Sequence, residues 1–136
     1  MRNTVSRSFA VGIVAAVLLY GVGSLEVPIM VATIMPGIYF GFAYLQGSWV
    51  EVLQETVTCG VLISIYLYCL HHVHEWMYLA PLSVGVHGLV DLLHHFHLYP
   101  SETHVHRCAP EYPLMCASVD LAICVTMSAL LYLRGA

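Results

Sequence analysis

The sequence predicts an all-α polytopic membrane protein, a bundle of five transmembrane helices. Two observations carry this expectation. Hydrophobic residues fill 60% of the 136 positions and charged residues only 9%, with no lysine, against about 25% charged in ordinary soluble domains. The apolar residues also fall into long continuous runs, each near the ~20 residues a helix needs to cross a hydrocarbon core. The runs lack the two-residue alternation of a membrane strand. A soluble chain of this length could not hide so much apolar surface.

Taken in order, the expected spans are residues 9–25, 28–45, 49–70, 76–98 and 113–133. The first lies in "MRNTVSRSFAVGIVAAVLLYGVGS", which also has features of a signal peptide: two arginines, a short apolar core and small residues near Gly23. It is expected to be a retained first span. The second contains Pro36 and "GIYFG", where Gly37 and Gly41 stand one turn apart, a spacing that lets helices pack closely. Trp49, Trp76, Tyr78, Tyr99 and Tyr112 fall near span ends, where amphipathic rings favour the interface. The longest connection, "YPSETHVHRCAPEYP", joins the last two spans, and its prolines at 100, 110 and 113 stop helices. No linker separates two units, so residues 1–136 are expected to form one domain.

Five spans put the termini on opposite sides. Arg2, Arg7 and Arg107 then share one side and Arg134 lies on the other. The positive-inside rule predicts a cytoplasmic N-terminus. The five cysteines form no C-x-x-C pair, and Cys59, Cys69 and Cys124 lie within spans. They suggest small buried hydrophobes rather than a disulfide framework. Net charge is −4 and no basic patch appears, so nucleic-acid binding is unsupported. Phosphate-binding glycine loops and hydrolase serine elbows are also absent from the sequence.

The fourth run contains "HGLVDLLHHFH", residues 87–97, with four histidines and an aspartate where lipid-compatible residues belong. A helix turns about 100° per residue, so His87, Asp91, His94 and His95 occupy one stripe about 100° wide. His97 points away. Polar groups facing lipid are expensive, so the stripe must face the bundle interior. The neighbouring spans repeat the pattern, with Glu51, Glu55 and Cys59 in the third and Cys116, Asp120 and Cys124 in the fifth. Counting ~1.5 Å per residue, Glu55, Asp91 and Asp120 are expected at one depth, roughly 10 Å from a common face. Cys59, His87 and Cys124 are expected one turn deeper, and Glu51, His94 and Cys116 one turn shallower.

Imidazole and carboxylate are the usual protein ligands of zinc and iron. The expected site is a divalent metal, zinc or iron, on His87, Asp91, His94 and His95. Asp91 serves as ligand or as the carboxylate that orients a ligating histidine. Glu55 and Asp120 are the candidate catalytic residues, placed as general bases beside a metal-activated water. The plainer reading is a satisfied polar network, with Asp91 bonded to His87 and Glu55 or Asp120 protonated. Two further clusters are expected to be ordinary polar ends: "HHVHEWM" (His71, His72, His74, Glu75) and "THVHRC" (His104, His106, Cys108). Loop histidines folded over His94 and His95 would complete a site at the membrane face.

"HGLVDLLHH" is similar to the H-x-x-H-H box of membrane di-iron fatty-acid desaturases and hydroxylases, with Asp91 where that box has its first histidine. Intramembrane His and Asp also resemble the zinc hydrolases of the ceramidase and adiponectin-receptor class, whose seven spans and ligand distribution differ. Across the whole chain, "H-x-x-x-D-x-x-H-H", the Pro-rich loop and "YPLMCASVDL" resemble a family of small integral membrane proteins, domain of unknown function 6010. That family implies no activity. The leading functional expectation is an integral membrane metalloprotein among membrane lipids, acting as an enzyme on a lipid substrate. The alternatives are a proton or metal-ion transport component and a structural membrane subunit.

Overall fold

A computed structural model describes residues 2–46, 48–96 and 111–135. All the described elements are helices: α1 (Arg2–Val22), α2 (Glu26–Ile34), α3 (Pro36–Gln46), α4 (Trp49–His72), α5 (Leu79–His95) and α6 (Tyr112–Gly135). The chain runs up and down, so one end of the bundle gathers the start of α1, the α3–α4 turn, the end of α5 and the start of α6. The other end gathers the α1–α2 and α4–α5 turns and the end of α6.

Local sequence explains the boundaries. Gly23 takes φ 75°, the left-handed conformation that closes α1. Pro28, Pro36, Pro81 and Pro113 all sit in the first turn of a helix, where a missing N–H costs no intrahelical bond. Pro36 marks the boundary between α2 and α3 inside the second expected span, while Met35 keeps helical angles, φ −58° and ψ −41°. Ser48 opens α4 with a capping box. Its hydroxyl accepts from the Glu51 backbone N–H, and its own N–H donates to the Glu51 carboxylate. Phe96 ends α5 by donating its N–H to the Leu92 carbonyl at 2.9 Å.

Four stretches are long and apolar enough to cross a membrane: Thr4–Val22, Glu26–Leu45, Trp49–His72 and Tyr112–Gly135. The fourth expected span is shorter than its apolar run: α5 has 17 residues, about 25 Å. Only 17% of the apolar window in Thr4–Val22 is buried, and 22% of that in Trp49–His72. Val11, Val14, Val17 and Leu18 lie open on α1, as do Leu53, Val57 and Val61 on α4.

The interior has two halves. Toward the α1–α2 and α4–α5 turns, an apolar core joins Ile29, Ala32, Leu62, Val73, Ala80, Val84, Ile123 and Met127. Toward the α3–α4 turn the interior holds the buried ionisable residues Glu51, Glu55, His87, Asp91, His94 and Asp120, beside Tyr39, Ala43 and Ala117. Close helix approach depends on glycines other than those expected. A Cβ on Gly37 or Gly41 would meet nothing within 4 Å, whereas one on Gly12 would lie 2.5 Å from the Val119 carbonyl oxygen on α6. A Cβ on Gly85 would lie 2.7 Å from Cys124 Sγ, and one on Gly88 would lie 3.0 Å from Asp120 Cβ. The i, i+4 pair in α3 faces open space, so close packing there is corrected to Gly12, Gly85 and Gly88.

Gly12→Ala should therefore destabilise the purified protein by about 1–3 kcal/mol through overpacking against backbone. Gly41→Ala should be neutral or stabilising by up to about 1 kcal/mol. Denaturant unfolding of the two variants beside the parent measures both, and equal effects would contradict the helix packing described.

Candidate metal centre

The site begins with register. His87 stands eight residues from the end of α5 and Asp120 eight residues from the start of α6, so both lie about 12 Å from that end of the bundle. Gly85 and Gly88 flank His87 and let α6 close on α5. The result is a hydrogen bond from His87 Nδ1 to Asp120 Oδ2 of 2.8 Å, between residues 1% and 2% exposed. Asp91, one turn along α5, places Oδ2 3.5 Å from the same nitrogen. Its Oδ1 accepts a 2.6 Å hydrogen bond from the Tyr39 hydroxyl on α3.

Tyr39 also links to a second pair. Its ring stacks on the His94 imidazole, with centroids 4.1 Å apart and planes 12° from parallel. His94 Nε2 lies 3.2 Å from Glu55 Oε1, and His94 Nδ1 lies 2.9 Å from the Val90 carbonyl oxygen. A carbonyl only accepts, so Nδ1 carries a proton. The Nε2–Oε1 contact then needs one further proton, held by imidazolium or by a carboxylic acid.

The expected layers interleave rather than stand level. Asp120 joins Asp91 as expected but bonds His87 from the layer below, while Glu55 bonds His94 from the layer above. His95 does not join the group. It is half-buried, its ring edge-on to Phe96 with centroids 5.0 Å apart. His97, Tyr99, His104, His106, Arg107 and Cys108 lie outside the described residues.

His87, Asp91 and Asp120 form a buried group that could hold a metal ion, each offering one ligand atom within 4.8 Å of the others. The distances assign roles within it. Zinc binds nitrogen and oxygen at about 2.0–2.2 Å. Two tetrahedral ligands then stand more than ~3 Å apart, and 2.8 Å is instead a hydrogen bond. His87 Nδ1 and Asp120 Oδ2 are therefore bonded to each other. His87 Nε2 and Asp91 Oδ2 are buried and lack a hydrogen-bond partner among the described residues. A ligating histidine commonly hands its other N–H to a carboxylate, which is the relation His87 has to Asp120.

Two aromatic residues escaped the sequence reading. Tyr39 left no signal beyond an aromatic one turn after Pro36 in an otherwise apolar run. Tyr66 on α4 is fully buried, its hydroxyl unpartnered among the described residues, within electrostatic reach of Asp120 and Asp91. Its position is eleven residues after Glu55, near three helical turns, so it continues the same face of α4.

At the opposite end of the bundle, the second histidine cluster forms a polar rim. His74 Nε2 lies 2.7 Å from Glu26 Oε1, Ser24 donates to Glu26 at 2.7 Å, and His72 Nδ1 lies 3.0 Å from Glu75.

Tyr39→Phe keeps the stack on His94 and removes the donor to Asp91. It should cost about 1.5–3 kcal/mol of stability, the range for a hydrogen bond to a charged group. In a double-mutant cycle with Asp91→Asn, the two changes should be clearly less than additive. Additive effects would mean that the hydroxyl does not hold Asp91. Comparison of the chain with family models, with curated proteins and with solved structures gives no match.

Proposed function

We propose that the chain is a multi-pass integral membrane metalloprotein whose His87/Asp91/Asp120 group binds one divalent cation. Membrane insertion is supported by the four long apolar helices and by the small fraction of them buried within the bundle. The single observation that carries the metal reading is the pairing of His87 Nδ1 with Asp120 while His87 Nε2 and Asp91 Oδ2, the latter 3.5 Å from Nδ1, stay buried without a hydrogen-bond partner among the described residues. Charge supports it as well. Two carboxylates and a neutral imidazole sum to −2, and a divalent cation cancels that charge in a medium that cannot hydrate it.

One imidazole with two carboxylates suits zinc or iron better than a soft thiolate-seeking metal. A cation bound there would lower the pKa of a bound water or polarise a carbonyl. Action on a membrane lipid is the enzymatic form of this proposal. Within it Asp120 orients His87 and Asp91 is a ligand. Glu55 stays apart, bonded to His94 beyond Tyr39. Transport across the whole bilayer is less well supported, since the half beyond His87 is filled by Leu62, Val73, Val84 and Met127. The N-terminus is placed in the cytoplasm, on the sequence positions of Arg2, Arg7 and Arg107. Protease protection of an N-terminal tag in sealed vesicles tests that orientation.

Elemental analysis of protein purified without affinity metal should find about one zinc or iron per chain. His87→Ala should reduce this to background. Asp120→Asn should weaken binding by about 10–100-fold, the usual cost of losing the carboxylate behind a ligating histidine. His95→Ala should leave the stoichiometry unchanged. Parent protein that is metal-free, and equally stable with and without chelator, would leave a hydrogen-bonded polar network as the function of these residues.

A further inference from the structure

We infer that the cation site exchanges with one membrane face only, through a transit station formed by Glu55 and His94. This rests on the metal reading above and adds a route to it. The route starts at the α3–α4 turn, where a cleft of ≈ 440 Å³ is lined by Tyr44, Ser48, Trp49 and Val52. Ser48 is exposed, and its capping partner Glu51 is 7% exposed. Glu55 follows Glu51 by four residues, so the two carboxylates stack on one face of α4. Glu55 (2% exposed) meets His94 (1%) at 3.2 Å, and His94 stacks on Tyr39, whose hydroxyl bonds Asp91. Asp91 is beside His87, whose Nε2 is buried without a hydrogen-bond partner among the described residues. Every step from the exposed turn to the centre carries an oxygen or a nitrogen, those of Glu55 and His94 being bonded to each other.

The other direction offers few such groups and no carboxylate among the described residues. Beyond His87, the interior is Leu62, Tyr66, Cys69, Val73, Ala80, Val84, Ile123 and Met127. Of the buried hydroxyls there, Ser83 donates to the Ala80 carbonyl oxygen of its own helix, and Tyr66 has no hydrogen-bond partner among the described residues. A divalent ion leaving that way would shed its ligands into an apolar core, a step far costlier than moving along carboxylates. Glu55 and His94 are therefore ligands in passage, not ligands at rest: a carboxylate and an imidazole midway along the route hold the ion while its water is replaced.

The full chain, reconstituted in sealed liposomes and loaded with Zn²⁺, tests this. The fraction of molecules with the α3–α4 turn outward is measured by protease access to an N-terminal tag, which lies at the same bundle end. Membrane-impermeant EDTA added outside should strip zinc promptly from that fraction and spare the rest. Prompt loss from both orientations, or from the opposite one, overturns one-sided access while leaving the metal site standing. In Glu55→Gln, zinc loading and release should each slow at least tenfold, with the stoichiometry at the inner site retained. An unchanged rate refutes the transit role, and lost stoichiometry makes Glu55 a resting ligand instead. The orientation measurement on the parent stands even if the variant does not fold. A parent that binds no zinc removes the site and the route together.

Discussion

The hydrogen bond between His87 on α5 and Asp120 on α6 is the constraint around which the polar half of the bundle is built. Both partners are buried almost completely, so neither can rely on water. An unpaired ionisable group in such a place costs several kcal/mol, and pairing is the alternative to neutralisation. The bond spans two helices, so it sets their distance and their register together. Gly85 and Gly88 suit that distance, because a Cβ at either would crowd Cys124 Sγ at 2.7 Å or Asp120 Cβ at 3.0 Å. Backbone geometry, two glycines and a buried hydrogen bond thus form one unit.

From that unit the remaining contacts follow by proximity. Asp91 stands one turn from His87 and draws Tyr39 from α3. Tyr39 presents its face to His94, and His94 turns its second nitrogen to Glu55 on α4. Four segments that are far apart in sequence are joined by polar contacts where the bundle has little apolar packing to offer. The apolar half needs no such chain, since Ile29, Leu62, Val84 and Met127 pack without directional demands. Polarity at one end and close apolar packing at the other give the bundle a direction.

The helical class and the polar stripe were legible in the sequence because both are periodic. Continuous apolar runs mark helices, and His87, Asp91 and His94 recur at helical spacing. The partners were only half legible. Asp120 and Glu55 stood out as acids in apolar runs, but spacing along each helix does not fix how neighbouring helices lie against one another, so their pairing with His87 and His94 could not be read. Tyr39 was invisible because a tyrosine among Ile38, Phe40 and Phe42 looks like ordinary bulk. Gly37 and Gly41 misled for a related reason: spacing says which residues share a face, not what that face meets. His95 shared the stripe by angle; as the last residue of α5 it turns its ring edge to Phe96, with Nδ1 buried and without a hydrogen-bond partner among the described residues.

The missing hydrogen bond at Pro36 gives Tyr39 a particular place. Pro36 cannot donate the bond that would tie α3 to the preceding turn, yet Met35 keeps helical angles, φ −58° and ψ −41°, and Glu26–Leu45 runs on as one apolar stretch. Tyr39 is three residues past that missing bond and touches Asp91 by its hydroxyl and His94 by its ring. Any displacement of α3 would withdraw one phenol from both neighbours at once, so the two halves of the polar chain share a single joint.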